Sequence, residues 1–185
     1  MIIELSYTAT IPFGLDPRVF AMWTTAFLAA VIAIWGVISQ RSLTRRRTTM
    51  DLIFGILNDH DYIKARTRFI TISKQPNGLL PYAQKTLPDV DGAPDEEGNS
   101  CISLVLNNYE LLAIGVQRGI LDYKILERYM QAIVLGHWKL AASYITELRE
   151  VYDNQEYYQE LETLKGWLDV QGKNKPKGKF WALWF

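Results

Sequence analysis

The chain has 185 residues, with 20 basic and 20 acidic side chains and a formal net charge of zero. This balance argues against a general nucleic-acid-binding protein, which would usually carry a broad basic excess. The single cysteine, Cys101, excludes an intramolecular disulfide and suits a reducing compartment. We expect its thiol to be buried, because it begins an apolar run.

Residues 19–38 form an uncharged run of twenty residues. At ~1.5 Å per residue, a helix of this length spans ~30 Å, the thickness of a bilayer hydrocarbon core. Trp23 and Trp35 lie near its two ends, as interfacial tryptophans do. The run is apolar on all sides, unlike a core helix, and two acids precede it, unlike the start of a signal peptide. We predict a transmembrane helix over residues 19–38.

Four arginines follow this run at once: Arg41, Arg45, Arg46 and Arg47. Basic residues next to a span remain on the cytoplasmic side. We therefore predict a single-pass protein of the bacterial inner membrane, with residues 1–18 as a short extracytoplasmic N-terminus and a cytoplasmic C-terminal domain. The four arginines and the two tryptophans are the predicted membrane-interface residues of this region.

Residues 39–74 are predicted to be the basic collar and a juxtamembrane helix, with Thr48 or Thr49 as its N-cap. One continuous helix that runs from the span through the arginines is the alternative. Residues 58–61 predict a kink or a new N-cap. Residues 75–100 contain four prolines and several acids, which predicts a long surface loop. The acids of this loop lack EF-hand spacing, so we favour a solvated loop over a calcium site: Asp89, Asp91, Asp95 and Glu97.

Residues 101–170 are predicted to be the core of a helical bundle. A helix from 101 to 118 is expected to end at Gly119, and Asp122 is expected to cap the next helix. Breaks are expected near Gly136 and before Asn154, which would cap the last helix. The predicted fold class is all-α: a single N-terminal transmembrane helix plus a cytoplasmic bundle of about five helices.

Glu110 occupies a polar position on an otherwise apolar helix, on one face with Asn107 and Gln117. A carboxylate in this setting must be solvated, paired or protonated. We predict a buried polar pair that fixes helix register, while a functional carboxylate and an exposed one remain alternatives. The candidate partners of Glu110 are Arg118, Arg128, Arg149 and Arg66.

Residues 171–185 form a tail in which lysines precede aromatic residues. Lysines next to tryptophans suit the headgroup region of an anionic leaflet, so the tail is predicted to be a second membrane contact. Packing into a groove of its own domain or of a neighbouring subunit is the equal alternative. The residues concerned are Lys173, Lys175, Lys177, Lys179, Phe180, Trp181, Trp184 and Phe185.

Residues 106–130 read LNNYELLAIGVQRGILDYKILERYM, and this stretch resembles the DUF4760 family of bacteria and phages. The similarity rests on Asn-x-x-Glu, Ala-Ile-Gly and Arg-Gly-Ile-Leu-Asp, and it continues to residue 168 and back through the span. The resemblance implies a small membrane-anchored helical protein and carries over no biochemical activity. Residues 75–100 and the tail are departures from the family pattern.

No motif for catalysis, metal or cofactor binding is present in the sequence, and neither histidine follows an arginine at the spacing of helical HEPN ribonucleases. We predict a non-enzymatic protein that displays a cytoplasmic interaction or self-assembly domain, an accessory or effector in bacteria–phage conflict by analogy. The expected partners are membrane lipids, further copies of the chain and a cytoplasmic protein, without nucleic acid. The alternatives are an oligomeric membrane pore or membrane-disrupting effector, and a membrane-tethered divergent nuclease built on Glu110 and an arginine.

Overall fold

The computed structural model describes residues 16–84 and 95–169, and these residues form helices and turns without a strand. The predicted all-α class is therefore confirmed for this part of the chain. In chain order the elements are α1 (Pro17–Asn58), α2 (His60–Ser73), a 3₁₀ helix (Leu80–Ala83), α3 (Glu96–Gln117), α4 (Tyr123–Val151) and α5 (Gln159–Leu168).

The chain divides into two compact units, residues 1–43 and residues 44–185. The described part of the first unit consists mainly of α1, and none of its most apolar stretch is buried. Trp23 is 66% exposed, Phe27 is 72% exposed and Trp35 is 70% exposed. Among the described residues there is thus one helix that is long and apolar enough to cross a membrane.

The second unit packs residues 44–58 of α1 together with α2 to α5, which matches the predicted bundle of about five helices. The centre of the bundle is α3, which packs most extensively on α2 and next on α5. Each helix contributes an apolar stripe, as expected for a core-facing helix. The fully buried side chains include Ile53, Phe69, Ile102, Leu106, Tyr109, Leu112, Leu126, Met130, Tyr144 and Ile145.

Three predicted helix boundaries are confirmed. The carboxylate of Asp59 accepts the backbone N–H groups of Asp61 and Tyr62 at 2.8 and 3.1 Å, so it caps α2. Asp122 does the same for the first turn of α4, at 3.0 and 3.2 Å. Gly119 follows the end of α3 with φ at 70°, a left-handed conformation that favours glycine.

The predicted caps at Thr48 or Thr49 and the predicted break near Gly136 are wrong, whereas the alternative of one continuous helix through the arginines is confirmed. Helix α1 continues to Asn58, and the buried Thr49 hydroxyl donates to the backbone carbonyl of Arg45 at 2.7 Å. Helix α4 continues through Gly136, which faces open space. Glycine inside a helix costs about 1 kcal/mol relative to alanine. The buried stripe on both sides of Gly136, at Val134 and Ala141, offsets this cost.

The last helix begins later than predicted. Asn154 accepts the backbone N–H of Glu156 at 2.9 Å and so forms a turn, whereas α5 begins at Gln159. Its N-cap residue, Tyr158, has φ at 55° and makes no side-chain capping bond. The cap of α5 must therefore come from elsewhere in the chain.

The predicted loop over residues 75–100 contains more structure than expected. The 3₁₀ helix packs on α4 and contains the buried Tyr82, and Asp95 caps α3 by accepting the N–H of Gly98 at 2.5 Å. Asp95 also pairs with Arg68 at 2.6 Å, and Glu97 pairs with Lys64 at 2.9 Å. These two acids therefore hold α3 to α2, while Asp89 and Asp91 lie outside the described residues.

Candidate site at the arginine end of the bundle

The arginines nearest the bundle hold the turn between α3 and α4. The half-buried guanidinium of Arg45 donates through Nη2 to the carbonyl of Leu121 at 3.2 Å. The hydroxyl of Thr49 accepts the N–H of Asp122 at 2.7 Å, and Nε of Arg46 lies 3.8 Å from the Asp122 carboxylate. Of the four predicted interface arginines, Arg45 is half-buried, and Arg41, Arg46 and Arg47 are exposed.

The turn itself closes tightly over the end of α3. The N–H groups of Ile120 and Leu121 both donate to the carbonyl of Gly115 at 2.9 Å, and the N–H of Gly119 donates to Val116 at 3.1 Å. A Cβ atom on Gly115 would lie 2.5 Å from Cδ1 of Leu121, so only glycine lets Leu121 pack there. Leu121 is buried as a result, and Ile120 remains 57% exposed.

Helix α5 ends beside the first turns of α4. The hydroxyl of Tyr123 donates to the carbonyl of Trp167 at 2.8 Å, and the amide of Gln131 donates to the carbonyl of Leu168 at 2.6 Å. The chain therefore leaves α5 near the α3–α4 turn. The predicted tail residues lie outside the described residues: Lys173, Lys175, Lys177, Lys179, Phe180, Trp181, Trp184 and Phe185.

Glu110 supplies the missing cap of α5. Its Oε2 accepts the N–H of Leu161 at 2.7 Å, and its Oε1 accepts the N–H of Glu160 at 3.2 Å. A carboxylate at this position also interacts favourably with the positive end of the helix dipole. Burial raises the pKa of Glu110, and the two N–H bonds oppose that rise. Both carboxylate oxygens are thus engaged by a helix N-terminus.

Glu110 forms this cap and not the predicted ion pair with an arginine. Arg149 instead pairs with Glu162 at 2.9 Å and donates from Nε to the carbonyl of Tyr157 at 2.9 Å, and its charge acts on Glu110 only as a secondary influence. Arg118 and Arg128 are exposed. The fourth candidate, Arg66, lies near the buried polar chain described below.

A cleft of about 430 Å³ opens beside the cap. Two of the predicted polar positions of α3 contribute here: Asn107 lines the cleft with Glu110, and Gln117 donates to the Glu160 side chain. Asp153 and Tyr158, at the two ends of the connection to α5, have φ at 48° and 55°. The remaining lining residues are Ser103, Asn154, Glu156, Tyr157 and Tyr158.

A buried chain of three polar side chains crosses the bundle core, and the sequence did not reveal it. The hydroxyls of Tyr62 and Tyr109 lie 2.8 Å apart, and the Tyr109 hydroxyl lies 2.6 Å from Nδ1 of His137. Burial, aided by the positive charge of Arg66, lowers the pKa of His137 to about 4. The imidazole is therefore neutral at pH 7. Helical spacing is the sequence signal that could have identified this histidine as buried, because His137 lies on the same buried stripe of α4 as Val134.

Cys101 is buried, as predicted, and its burial raises the pKa of the thiol. Within residues 16–84 and 95–169, histidine, cysteine, aspartate and glutamate side chains form no group of three or more that would hold a metal ion. His60, which is exposed, lies directly after the cap residue Asp59 of α2.

One family model matches this chain, and it covers residues 23–167. Its description is "Domain of unknown function (DUF4760)". The matched range includes most of the apolar run, the arginines and all the helices of the bundle up to Trp167, and it leaves out the tail. No curated protein and no solved structure matches the chain.

Proposed function

The chain belongs to the DUF4760 family, and from this premise we propose that it is a non-enzymatic, membrane-anchored protein that displays a helical interaction domain in the bacterial cytoplasm. The observation that carries the proposal is the apolar stretch of α1, none of which is buried against protein. Fully burying a large apolar side chain contributes about 1.5–3 kcal/mol. Residues 19–38 hold twelve exposed side chains of this kind. Their exposure would be strongly unfavourable in water, so lipid is their proposed environment.

The arginines provide the proposed orientation. Arg46 and Arg47 are exposed immediately after the apolar stretch, and such residues remain on the cytoplasmic side of a bacterial inner membrane. The second unit would then lie in the cytoplasm, with the N-terminus outside. Its lone buried thiol, Cys101, agrees with a reducing compartment.

The outer face of α3 supports an interaction role for the bundle. Leu104, Leu111 and Ile114 recur at helical spacing on this helix and are 39%, 53% and 39% exposed. Contiguous exposed apolar patches mark protein–protein interaction sites, and these three side chains are where we place such a contact. We propose that it pairs with further copies of the chain or with a cytoplasmic protein, in a setting of bacteria–phage conflict by analogy with phage members of the family.

The anchor is tested with the full chain expressed in bacterial cells. We expect it to resist carbonate extraction from membranes, and we expect protease to reach the bundle in inverted vesicles and not in spheroplasts. The double variant Ala30→Arg/Ile34→Arg places two charges within the apolar run, each with an insertion cost of at most about 2.5–3.5 kcal/mol, and should leave the membrane fraction. The matched control, Ala30→Leu/Ile34→Leu, should remain there. Extraction of the wild-type chain by carbonate would contradict the proposal.

The interaction face is tested by light scattering on the detergent-solubilised chain, with the mass corrected for bound detergent. We expect a discrete oligomer that Leu111→Glu dissociates, while Ile63→Glu, at a comparably exposed residue of α2, leaves the mass unchanged. A monomeric wild-type chain would contradict self-assembly through this face. A ring of six or more copies that makes liposomes leak dye would replace the proposal with the pore.

A further inference from the structure

Ile120 is an exposed apolar side chain on a rigid support. It is 57% exposed, whereas Leu121 beside it is 2% exposed. The N–H groups of both residues donate to one carbonyl, that of Gly115, and Arg45 binds the carbonyl of Leu121. Because these bonds fix the backbone, Ile120 has a defined position at the tip of the α3–α4 turn.

Exposed basic residues flank this isoleucine in the sequence. Arg118 precedes it and Lys124 follows it, and both are exposed. The hydrogen bonds of Arg45 and Thr49 bring the turn against α1, where Arg46 is exposed too. The one acid of the turn, Asp122, caps α4 and lies 3.8 Å from Arg46, so the turn presents a positive surface with an apolar centre.

The turn also meets two other segments of the second unit. Arg45, in the part of α1 that belongs to this unit, donates to the carbonyl of Leu121. The end of α5 is held at the first turns of α4 by the bond from Tyr123 to Trp167. Three segments of the second unit therefore converge at this end of the bundle.

We infer that the α3–α4 turn is a docking surface for anionic lipid headgroups, in which Ile120 enters the headgroup boundary and Arg118 and Lys124 bind phosphates. An apolar side chain within a basic surface is what an interfacial lipid contact requires. The inference rests on the proposed membrane anchor, and it adds a lipid contact made by the folded bundle itself.

The test uses the full chain in vesicles of phosphatidylglycerol and phosphatidylcholine in equal amounts. In a Cys101→Ala background, Ile120→Cys is labelled with an environment-sensitive fluorophore, and quenching by spin-labelled lipid is measured. The matched control is Glu150→Cys, an exposed position 27 residues after Tyr123 and so about 40 Å along α4. We expect quenching at position 120 and none at position 150, and weaker quenching at 120 in pure phosphatidylcholine.

Charge reversal should weaken this contact. Each basic residue near an anionic leaflet contributes ~1 kcal/mol, so Lys124→Glu should lower the contact equilibrium at least fivefold. Equal quenching at positions 120 and 150 would overturn the inference. Equal quenching at 120 in both lipid mixtures would overturn the anionic preference. A disulfide-linked dimer through Ile120→Cys, without lipid quenching, would identify a second copy as the occupant instead.

Two controls keep the outcomes distinct. Carbonate extraction of the same labelled chain separates the two proposals: an extracted chain means that the anchor fails, whereas an inserted chain without quenching means that only the turn contact fails. Hydrogen exchange of wild-type residues 118–124 needs no cysteine. We expect slower exchange in anionic than in neutral vesicles, and equal rates would overturn the inference even if the labelled variants misfold.

Discussion

Phe27 in α1 and Phe69 in α2 are the same amino acid, yet Phe27 is 72% exposed and Phe69 is fully buried. The difference holds for the two units as a whole. In the bundle, apolar residues recur on one stripe of each helix and bury one another. Residues 19–38, in contrast, are apolar on every side, and none of this stretch is buried against other described residues. Periodicity, more than apolar content, thus separates a self-sufficient core from a helix that is long and apolar enough to cross a membrane.

The largest effect is expected from removing a core side chain, which should destabilise the bundle and leave the first unit unchanged. Phe69→Ala should lower the free energy of unfolding by about 3–5 kcal/mol. Thermal unfolding of the full chain in detergent, followed by circular dichroism, measures this loss. Phe27→Ala, the matched control in the first unit, should leave the bundle transition unchanged. Equal shifts for both variants would show that the two units do not unfold independently.

A smaller effect is expected from protonation of the buried histidine of the bundle, since residues 1–43 contain no histidine. The pKa of His137 is about 4 in the folded chain and ~6.5 in the unfolded chain. As the pH falls from 6.5 towards 4, the unfolded chain takes up a proton that the folded chain excludes. The bundle should therefore lose up to about 3 kcal/mol of stability across this window and keep it fully above pH 6.5.

Melting temperatures at pH 7.5 and 4.5 measure this pH dependence. His137→Gln should reduce the difference between the two pH values, although it also removes the bond to Tyr109. The variant His60→Gln changes the other histidine, which is exposed, and should behave as wild type. An unchanged pH dependence in His137→Gln would exclude this histidine as the cause.

The smallest effect is expected at the edge of the bundle, where α5 depends on Glu110. Replacing a capping side chain with alanine costs about 0.5–2 kcal/mol. Glu110→Ala should therefore speed amide exchange in α5 by about 2- to 30-fold, most clearly at Leu161. Glu110→Gln should retain part of the protection, because the amide oxygen still accepts one N–H. Glu150→Ala, at an exposed carboxylate, is the control, and the same exchange rate in all variants would remove Glu110 as the cap.

Sequence periodicity and local caps were sufficient for much of the fold. Asp59, Asp122 and Gly119 act on residues within a few positions of themselves, so their roles were readable from the chain. Gly136 was misread because a glycine is a weak helix breaker when the apolar stripe on both sides continues. Thr49 was misread because a threonine hydroxyl bonds the preceding turn of a helix as readily as it caps a new one.

The candidate sites depend on residues that are far apart in sequence, which is why they were less predictable. Glu110 was identified as a polar residue in an apolar setting, but its partners are backbone groups fifty residues later and not an arginine. The Tyr62–Tyr109–His137 chain joins three helices through side chains that are each unremarkable on their own helix. The bond from Arg45 to the carbonyl of Leu121 joins residues 76 positions apart, so the sequence alone could not predict it.

Because Glu110 of α3 caps α5, the formation of α5 depends on the folding of α3. A helix of ten residues is too short to be stable alone, and α5 has no local cap. During synthesis, residues 159–168 would gain their helix only after α3 is in place to receive them. A chain in which α3 is not packed correctly would expose residues 159–168 to proteases. Cleavage within this segment would therefore report on the folding of α3.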